Sequence, residues 1–214
     1  MDAYIWDLDG TLLDSYAVIV EGAVRTAAEA GLDDPAGEVL KAVKQGSVTA
    51  YLNGVGERCG MPFSELFERY RFFSHGLDDR ITLIAGAKDT LEKLQASGAV
   101  HYVYTHRGGS SEPILARLGI LDCFREIVTS KQGFKAKPSG EGVRYLTGKY
   151  ALDPRRTAYV GDRTLDVLCA KDAGVQAILY LPEDSCVTPT GQEDRIIREL
   201  EELTEEAPCR GTGF

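Results

Sequence analysis

The chain is predicted to adopt an α/β fold: a mostly parallel sheet with helices on both faces, interrupted after its first strand by an inserted helical subdomain. Three observations carry that expectation. Strand-like apolar runs alternate with helical patterns from residue 87 onward. A first strand-like run, at residues 3–7, is cut off from the others by a long stretch of helical periodicity alone. Two carboxylates, Asp7 and Asp9, stand where that first run gives way to Gly10-Thr11.

In chain order, residues 3–7 have strand composition, with Tyr4, Ile5 and Trp6. Residues 16–30 read as a helix ended by Gly31. Residues 36–45 and 47–55 read as short helices, and 63–75 sets Phe63, Leu66, Phe67, Tyr70 and Phe73 at helical spacing. Gly46, Gly54, Gly56, Gly60 and Pro62 punctuate this stretch. Then come helix 87–96, strand 100–105, helix 111–118, strand 124–129, helix 140–150, strand 157–161, helix 164–173, strand 175–181 and helix 194–204. The division is a core of residues 1–14 and 82–214 and a helical domain of residues 15–81. There is no internal repeat, and the tail 205–214, without periodicity, is expected to be loosely held.

The totals narrow the function. A length of 214 residues suits one sizeable domain or a core with an insertion. A net charge of −9 argues against a broad nucleic-acid-binding surface, so an anionic substrate needs a local positive pocket. The five cysteines (Cys59, Cys123, Cys169, Cys186, Cys209) are odd in number and include no CxxC pair, which fits reduced thiols in a cytoplasmic protein better than a disulfide framework or a zinc site. The sequence shows neither a signal-peptide pattern nor a membrane-spanning run, so no membrane partner is expected.

The chemistry collects at strand ends. Alternation along the first strand would put Asp7 and Asp9 on one side, where like charges repel unless a hard divalent cation neutralises them. Ligands in open α/β sheets bind outside the carboxyl ends of the strands. There the second strand offers Thr105, His106 and Arg107, the third Lys131, Lys135 and Lys137, and the fourth Asp162, Arg163 and Asp166. Each has an ordinary alternative: turn aspartates, a β-branched strand residue, a solvated lysine, acids at a helix start. Four successive strand ends sharing one site is the simpler account.

These motifs, Asp7-Leu8-Asp9-Gly10-Thr11, Thr105, Lys137-Pro138 and Gly161-Asp162 with Asp166, resemble in order and spacing those of the haloacid dehalogenase superfamily, in its phosphoglycolate phosphatase-like and β-phosphoglucomutase-like group with a helical cap after the first strand. The resemblance covers roughly residues 1–205. It implies a Rossmann-like core and a Mg²⁺-dependent phosphatase working through an aspartyl-phosphate. Asp7 would be the nucleophile and Asp9 the general acid/base. Thr105 and Lys137 would hold the phosphoryl group. Asp7, the Asp9 backbone carbonyl and Asp162 would bind the metal, with Asp166 orienting the cluster or lying near the ion. The acid at Asp9 favours phosphoryl transfer over carbon–halogen cleavage. Phosphonate-cleaving members use a cap lysine, and Lys41 and Lys44 lie in that region.

The cap, hinged near residues 14–16 and 80–85, would close over the site and contact the rest of a small phosphate ester. Its segment Lys44-Gln45-Gly46-Ser47-Val48-Thr49 resembles the specificity loop of such caps, which makes Gln45 a candidate substrate contact. Related sugar-phosphate mutases tend to carry Lys before that glycine and Arg shortly after it. Gln45 and Val48-Thr49 weaken that alternative, and a non-catalytic binding protein is a third. His106 and Arg107 stand where many relatives have small or amide residues. Arg107 would either bind a second anionic group of the substrate or pair with a core acid. Either a monomer or a homodimer is compatible with the apolar cap helices.

Overall fold

The computed structural model describes residues 1–205. Its elements in chain order are β1 (Ala3–Trp6), β2 (Leu13–Asp14), α1 (Tyr16–Glu29), α2 (Ala36–Gln45), α3 (Val48–Cys59), α4 (Phe63–His75), β3 (Thr82–Leu83), α5 (Ala87–Ala96), β4 (Val100–Tyr104), α6 (Ser111–Arg117), β5 (Phe124–Val128), α7 (Glu141–Lys149), β6 (Thr157–Gly161), α8 (Thr164–Ala173), β7 (Gln176–Tyr180) and β8 (Arg195–Ile197). Expectations for residues 206–214, including the loose tail and Cys209, fall outside the described residues.

Six parallel strands form the main sheet in the order β5-β4-β1-β6-β7-β8. The alternation of β1 divides its side chains between two cores. Tyr4 and Trp6 join Leu91, Val103 and Leu115 on one face, whereas Ala3 and Ile5 join Tyr102, Val143 and Tyr159 on the other. Trp6 is fully buried, and its indole N–H donates to His101 Nδ1 at 3.1 Å while His101 Nε2 lies 3.1 Å from the Leu91 carbonyl. The central place of β1 has a functional consequence: its carboxyl end is flanked directly by those of β4 and β6.

The insertion α1–α4 forms two apolar clusters of its own. Ile19, Ala23, Val39 and Val43 make one, and Ala27, Leu52, Val55 and Leu66 the other. It joins the sheet through a ribbon invisible in the sequence patterns. There β2 and β3 pair antiparallel, Leu13 against Leu83 and Asp14 against Thr82, so both crossings lie side by side.

One predicted element is corrected. Residues 194–204 do not form a helix: Arg195–Ile197 is an edge strand parallel to β7, followed by a 3₁₀ turn at Leu200–Leu203. Their apolar spacing imitates a helix, yet Ile197, Leu200 and Leu203 all reach the core by this route. The free edge of β7 takes the segment, with the Leu181 N–H donating to Ile197 O at 2.8 Å. Asp194 pins its start by accepting the Ala177 N–H at 2.7 Å, and Glu202 Oε1 closes the turn on the Glu199 N–H at 2.9 Å.

Candidate active site

The site is built by a tight turn at the end of β1. Asp7 donates its backbone N–H to Val160 O on β6 at 2.9 Å. The chain then leaves the strand direction, with the N–H groups of Leu12 and Leu13 both returning to Leu8 O at 3.0 and 2.8 Å. The strand's alternation therefore stops before Asp9, and the turn decides where that carboxylate goes. Gly10 makes the turn: its φ is +82°, and a Cβ there would collide with the Tyr16 ring and the Asp162 carboxylate.

Asp7 and Asp9 consequently meet different partners. Asp7 is buried, with Oδ1 2.9 Å from Lys137 Nζ. The same ammonium lies 2.6 Å from Asp166 Oδ1 and donates to the Tyr159 hydroxyl at 2.9 Å, which in turn donates to Tyr104 O at 2.8 Å. Burial works against the Lys137 charge, but Asp166 and Asp7 outweigh it and hold the ammonium above its ordinary pKa. Burial raises the Asp7 carboxyl, with Lys137 opposing. For Asp166, Lys137 and Arg163 overcome burial and keep the carboxyl below the usual range.

Asp9 points instead at the loop after β4. Arg107 grips it from the side, Nη2 at 2.6 Å and Nε at 3.0 Å from Oδ1, and Nε at 3.2 Å from Oδ2. The Ser15 hydroxyl donates to Oδ1 at 2.7 Å. Burial pushes the Asp9 carboxyl up, and these partners prevail and lower it. Thr105 is buried where β4 ends, its Oγ1 accepting the Arg107 N–H at 3.1 Å. His106 Nε2 accepts the Lys137 backbone N–H at 2.8 Å, and burial followed by the charges of Lys137 and Arg163 depresses its pKa to about 4.

Asp7, Asp162 and Asp166 bring carboxylate oxygens within 4.8 Å of one another. Asp7 Oδ2 and Asp162 Oδ1 are buried and have no hydrogen-bond partner. Both Asp166 oxygens are taken, one by Lys137 and the other by the Arg163 N–H at 3.1 Å. Asp162 accepts the Tyr16 hydroxyl at 2.9 Å on Oδ2, and burial, countered by Arg163, raises its carboxyl to about 7. Two orphaned carboxylate oxygens in a buried acidic group are what a hard divalent cation requires. The donor set fits a metal through Asp7 and Asp162, with Asp166 steering Lys137.

A cavity of about 380 Å³ opens beside this cluster, between sheet and insertion. Asp9, His106, Arg107 and Arg163 line it from the core, and Ser47, Thr49, Tyr70 and Arg71 from the insertion. Gln45 is not in this wall: its amide donates to Cys186 O at 3.3 Å, tying the insertion to a core loop. Lys44 reaches further in, 3.8 Å from Asp162 Oδ2 and 4.5 Å over the Tyr16 ring, while Lys41 pairs with Glu38 on the surface.

Known proteins resemble this chain in sequence and fold. A family profile described as haloacid dehalogenase-like hydrolase matches residues 4–180. The chain belongs to the haloacid dehalogenase-like hydrolase family. Within it, the chain falls in the phosphoglycolate phosphatase-like group and is a hydrolase of the phosphatase type. It is 29% identical over 184 residues to a phosphoglycolate phosphatase of Haemophilus influenzae, covering 81% of this chain and 82% of the relative. It is 27% identical over 202 residues to the pyrophosphatase PpaX of Oceanobacillus iheyensis, covering 93% of each. A crystal structure of a predicted phosphoglycolate phosphatase from Haemophilus somnus shares the fold, with a TM-score of 0.81, 22% identity and coverage of 95% and 96% of the two chains.

The dehalogenase-like architecture also exposes residues that sequence reasoning did not place at the site. Ser15 and Tyr16, at the first crossing into the insertion, hold Asp9 and Asp162. Asp78, beside the second crossing, holds Arg107 Nη1 at 3.2 Å. Tyr159 lies beneath Lys137. Ser15 and Tyr16 had the signal of lying next to the Asp-Leu-Asp motif. Asp78 and Tyr159 had none, because only tertiary packing brings them close.

Proposed function

We propose that the chain is a Mg²⁺-dependent phosphatase of a small phosphorylated metabolite, acting through an aspartyl-phosphate on Asp7. The observation that carries the reading is the Asp7 carboxylate: Oδ1 is fixed by Lys137 at 2.9 Å, and Oδ2 is buried with no hydrogen-bond partner, 4.0 Å from Arg163 Nη2. Such a group is oriented and its charge balanced without being consumed by hydrogen bonds. Mg²⁺ held by Asp7 and Asp162, with the Asp9 carbonyl, would shield phosphoryl charge and orient the ester.

The residues then divide the work. Asp7 forms a bond to phosphorus as the ester P–O bond breaks, and the electron pair stays on the leaving oxygen. Asp9, which must first take up a proton that the Arg107 pairing disfavours, supplies it to that oxygen, then takes one from the water that cleaves the aspartyl-phosphate. Lys137 and the Thr105 hydroxyl compensate charge on the phosphoryl oxygens. Arg107 and His106, in the cavity wall, meet the remainder of the substrate. Residues 15–81 act as a cap that excludes water, moving about the β2–β3 ribbon. The substrate is a phosphoglycolate-like or sugar phosphate, and the phosphoglycolate phosphatase named among the relatives supports the first. A cytoplasmic location belongs to the same reading and is supported by the free thiols of Cys59, Cys123, Cys169 and Cys186. Among the described residues, no helix is long and apolar enough to cross a membrane.

A panel of phosphate esters, with and without Mg²⁺, tests the proposal. Release of inorganic phosphate only with the metal is expected. Conversion of β-glucose 1-phosphate to glucose 6-phosphate in the presence of a bisphosphate primer would mean a mutase instead. Absence of turnover on every ester would mean a binding protein.

A further inference from the structure

Arg107 occupies a position at odds with the work assigned to its neighbour. The Asp9 carboxylate must face a leaving-group oxygen, yet both of its oxygens are taken by Arg107, and Ser15 adds a further donor to one of them. The guanidinium is itself anchored at its other end, Nη1 lying 3.2 Å from Asp78 Oδ1 and 3.2 Å from Ser110 Oγ. Asp78 and Ser15 flank the two crossings between sheet and insertion, so this buried chain spans both hinges and the acid between them. A side chain held so firmly does not turn away unless something replaces what it leaves.

The cavity shows what that replacement is. Arg107 faces it directly, only 10% exposed. Arg71 on α4 and Lys131 after β5 stand in the same wall, and neither forms an ion pair among the described residues. The Lys131 ammonium rests against Gly109, where even a Cβ would collide with it, so its charge lies over the loop that carries Arg107. An anion entering here meets a bidentate guanidinium fork with further positive charge nearby.

We propose that Arg107 is a substrate-operated latch: a phosphate ester bearing a second anionic group draws the guanidinium away from Asp9 and thereby frees that carboxylate to face the leaving oxygen. The inference rests on the phosphatase reading and deepens it. The preferred substrates are dianionic at one end and carry a carboxylate or a second phosphate at the other. An ester with a neutral tail has to break the Arg107–Asp9 pair with nothing to offer in return. Arg107 is thus a specificity-determining and positioning residue, acting on chemistry through Asp9.

The test is steady-state kinetics with Mg²⁺ on matched alkyl esters: 2-phosphoglycolate against 2-hydroxyethyl phosphate for the carboxylate, and ethane-1,2-diyl bisphosphate against 2-hydroxyethyl phosphate for the second phosphate. For the unaltered protein, at least one charged ester should exceed its neutral partner in kcat by tenfold or more, about 1.4 kcal/mol, and whichever pair shows the gap identifies the anion. Added acetate or inorganic phosphate should raise kcat on the neutral ester by acting on the latch in trans. In Arg107→Ala the gap should close from both sides, with KM for the charged ester rising and kcat for the neutral ester increasing, and acetate should lose its effect. A residue of structural importance alone would depress both esters together. Equal kcat on charged and neutral esters in the unaltered protein, or no activation by either anion, overturns the latch while leaving the phosphatase intact. No turnover on any ester overturns the phosphatase reading and the latch with it. Arg107→Gln and the anion additions to the unaltered protein decide the matter if the alanine variant does not fold.

Discussion

The ammonium of Lys137 lies 2.9 Å from the Asp7 carboxylate, and both side chains are sealed from solvent. Lys137 arrives on the segment after β5, at the sheet edge, whereas Asp7 ends the central β1. The same ammonium also neutralises Asp166 on α8, so one cation supports two buried acids. Replacing it with Met keeps the volume and strands both carboxylates. Loss of a partner from a buried pair costs about 3–5 kcal/mol, and Lys137→Met should lower the urea midpoint accordingly. Lys137→Met combined with Asp7→Asn should be less unstable than the sum of the two single changes, because one stranded charge is gone.

Asp7→Asn removes the carboxylate proposed to attack phosphorus while nearly preserving its shape. Turnover should fall below about 10% of the parent value, with circular dichroism and gel-filtration behaviour retained. Phosphate release above that level, measured with Mg²⁺ present, would remove Asp7 from the nucleophile's role.

The orphaned oxygens of Asp7 and Asp162 bear on metal binding independently of activity. Mg²⁺ that binds the folded chain alone should stabilise it, by about 2.7 kcal/mol at a hundredfold excess over its dissociation constant. Asp162→Asn should lose most of this gain in thermal melts performed with and without the ion. An unchanged Mg²⁺ response in that variant would mean the ion sits elsewhere.

His106 sets a pH dependence of stability. Its pKa is about 4 in the folded chain against an ordinary 6.5, because it is buried beside Lys137 and Arg163 and its Nε2 accepts a backbone N–H. Below pH 6.5 the unfolded chain takes up a proton that the folded chain refuses. The stabilisation is therefore complete above about 6.5 and is lost as pH falls toward 4. Asp162, whose carboxyl is raised to about 7, takes up a proton in the folded chain over the same window and opposes this loss, so the His106 contribution is read as the difference in urea midpoints between parent and variant. His106→Gln, which keeps an acceptor for the Lys137 N–H without the titration, should show a shallower acid limb. Parallel limbs would assign the acid sensitivity to other groups.

The order of elements was legible in the sequence wherever the hydrophobic period was long and uninterrupted, as in α1, α4 and the strands β1, β4 and β6. It misled at residues 194–204, where three apolar residues satisfy both a helix and a strand-plus-turn path. An unpaired edge on β7, a long-range partner that a local pattern does not contain, selected the strand. The β2–β3 ribbon was hidden for a related reason: each piece is two residues long, and its partner lies across the whole insertion.

Within the site, the clustering of Asp7, Asp9, Thr105, Lys137, Asp162 and Asp166 was readable because the polar residues of an open α/β sheet that can meet a ligand gather at the carboxyl ends of its strands. Which oxygen each would offer was not. Alternation suggested that Asp7 and Asp9 share one side, whereas the glycine turn at Gly10 sends one to Lys137 and the other to Arg107. Gln45, placed by its loop at the substrate, hydrogen-bonds a core carbonyl instead, and Asp78 enters from a hinge with no motif to announce it. The sequence by itself determined the donor groups and the strand ends that carry them, since these follow from local period and residue chemistry. Only the tertiary structure decided how those groups pair. Pairing depends on burial and on contacts between elements far apart in the chain, and these set both the charge balance at Asp7 and the grip of Arg107 on Asp9.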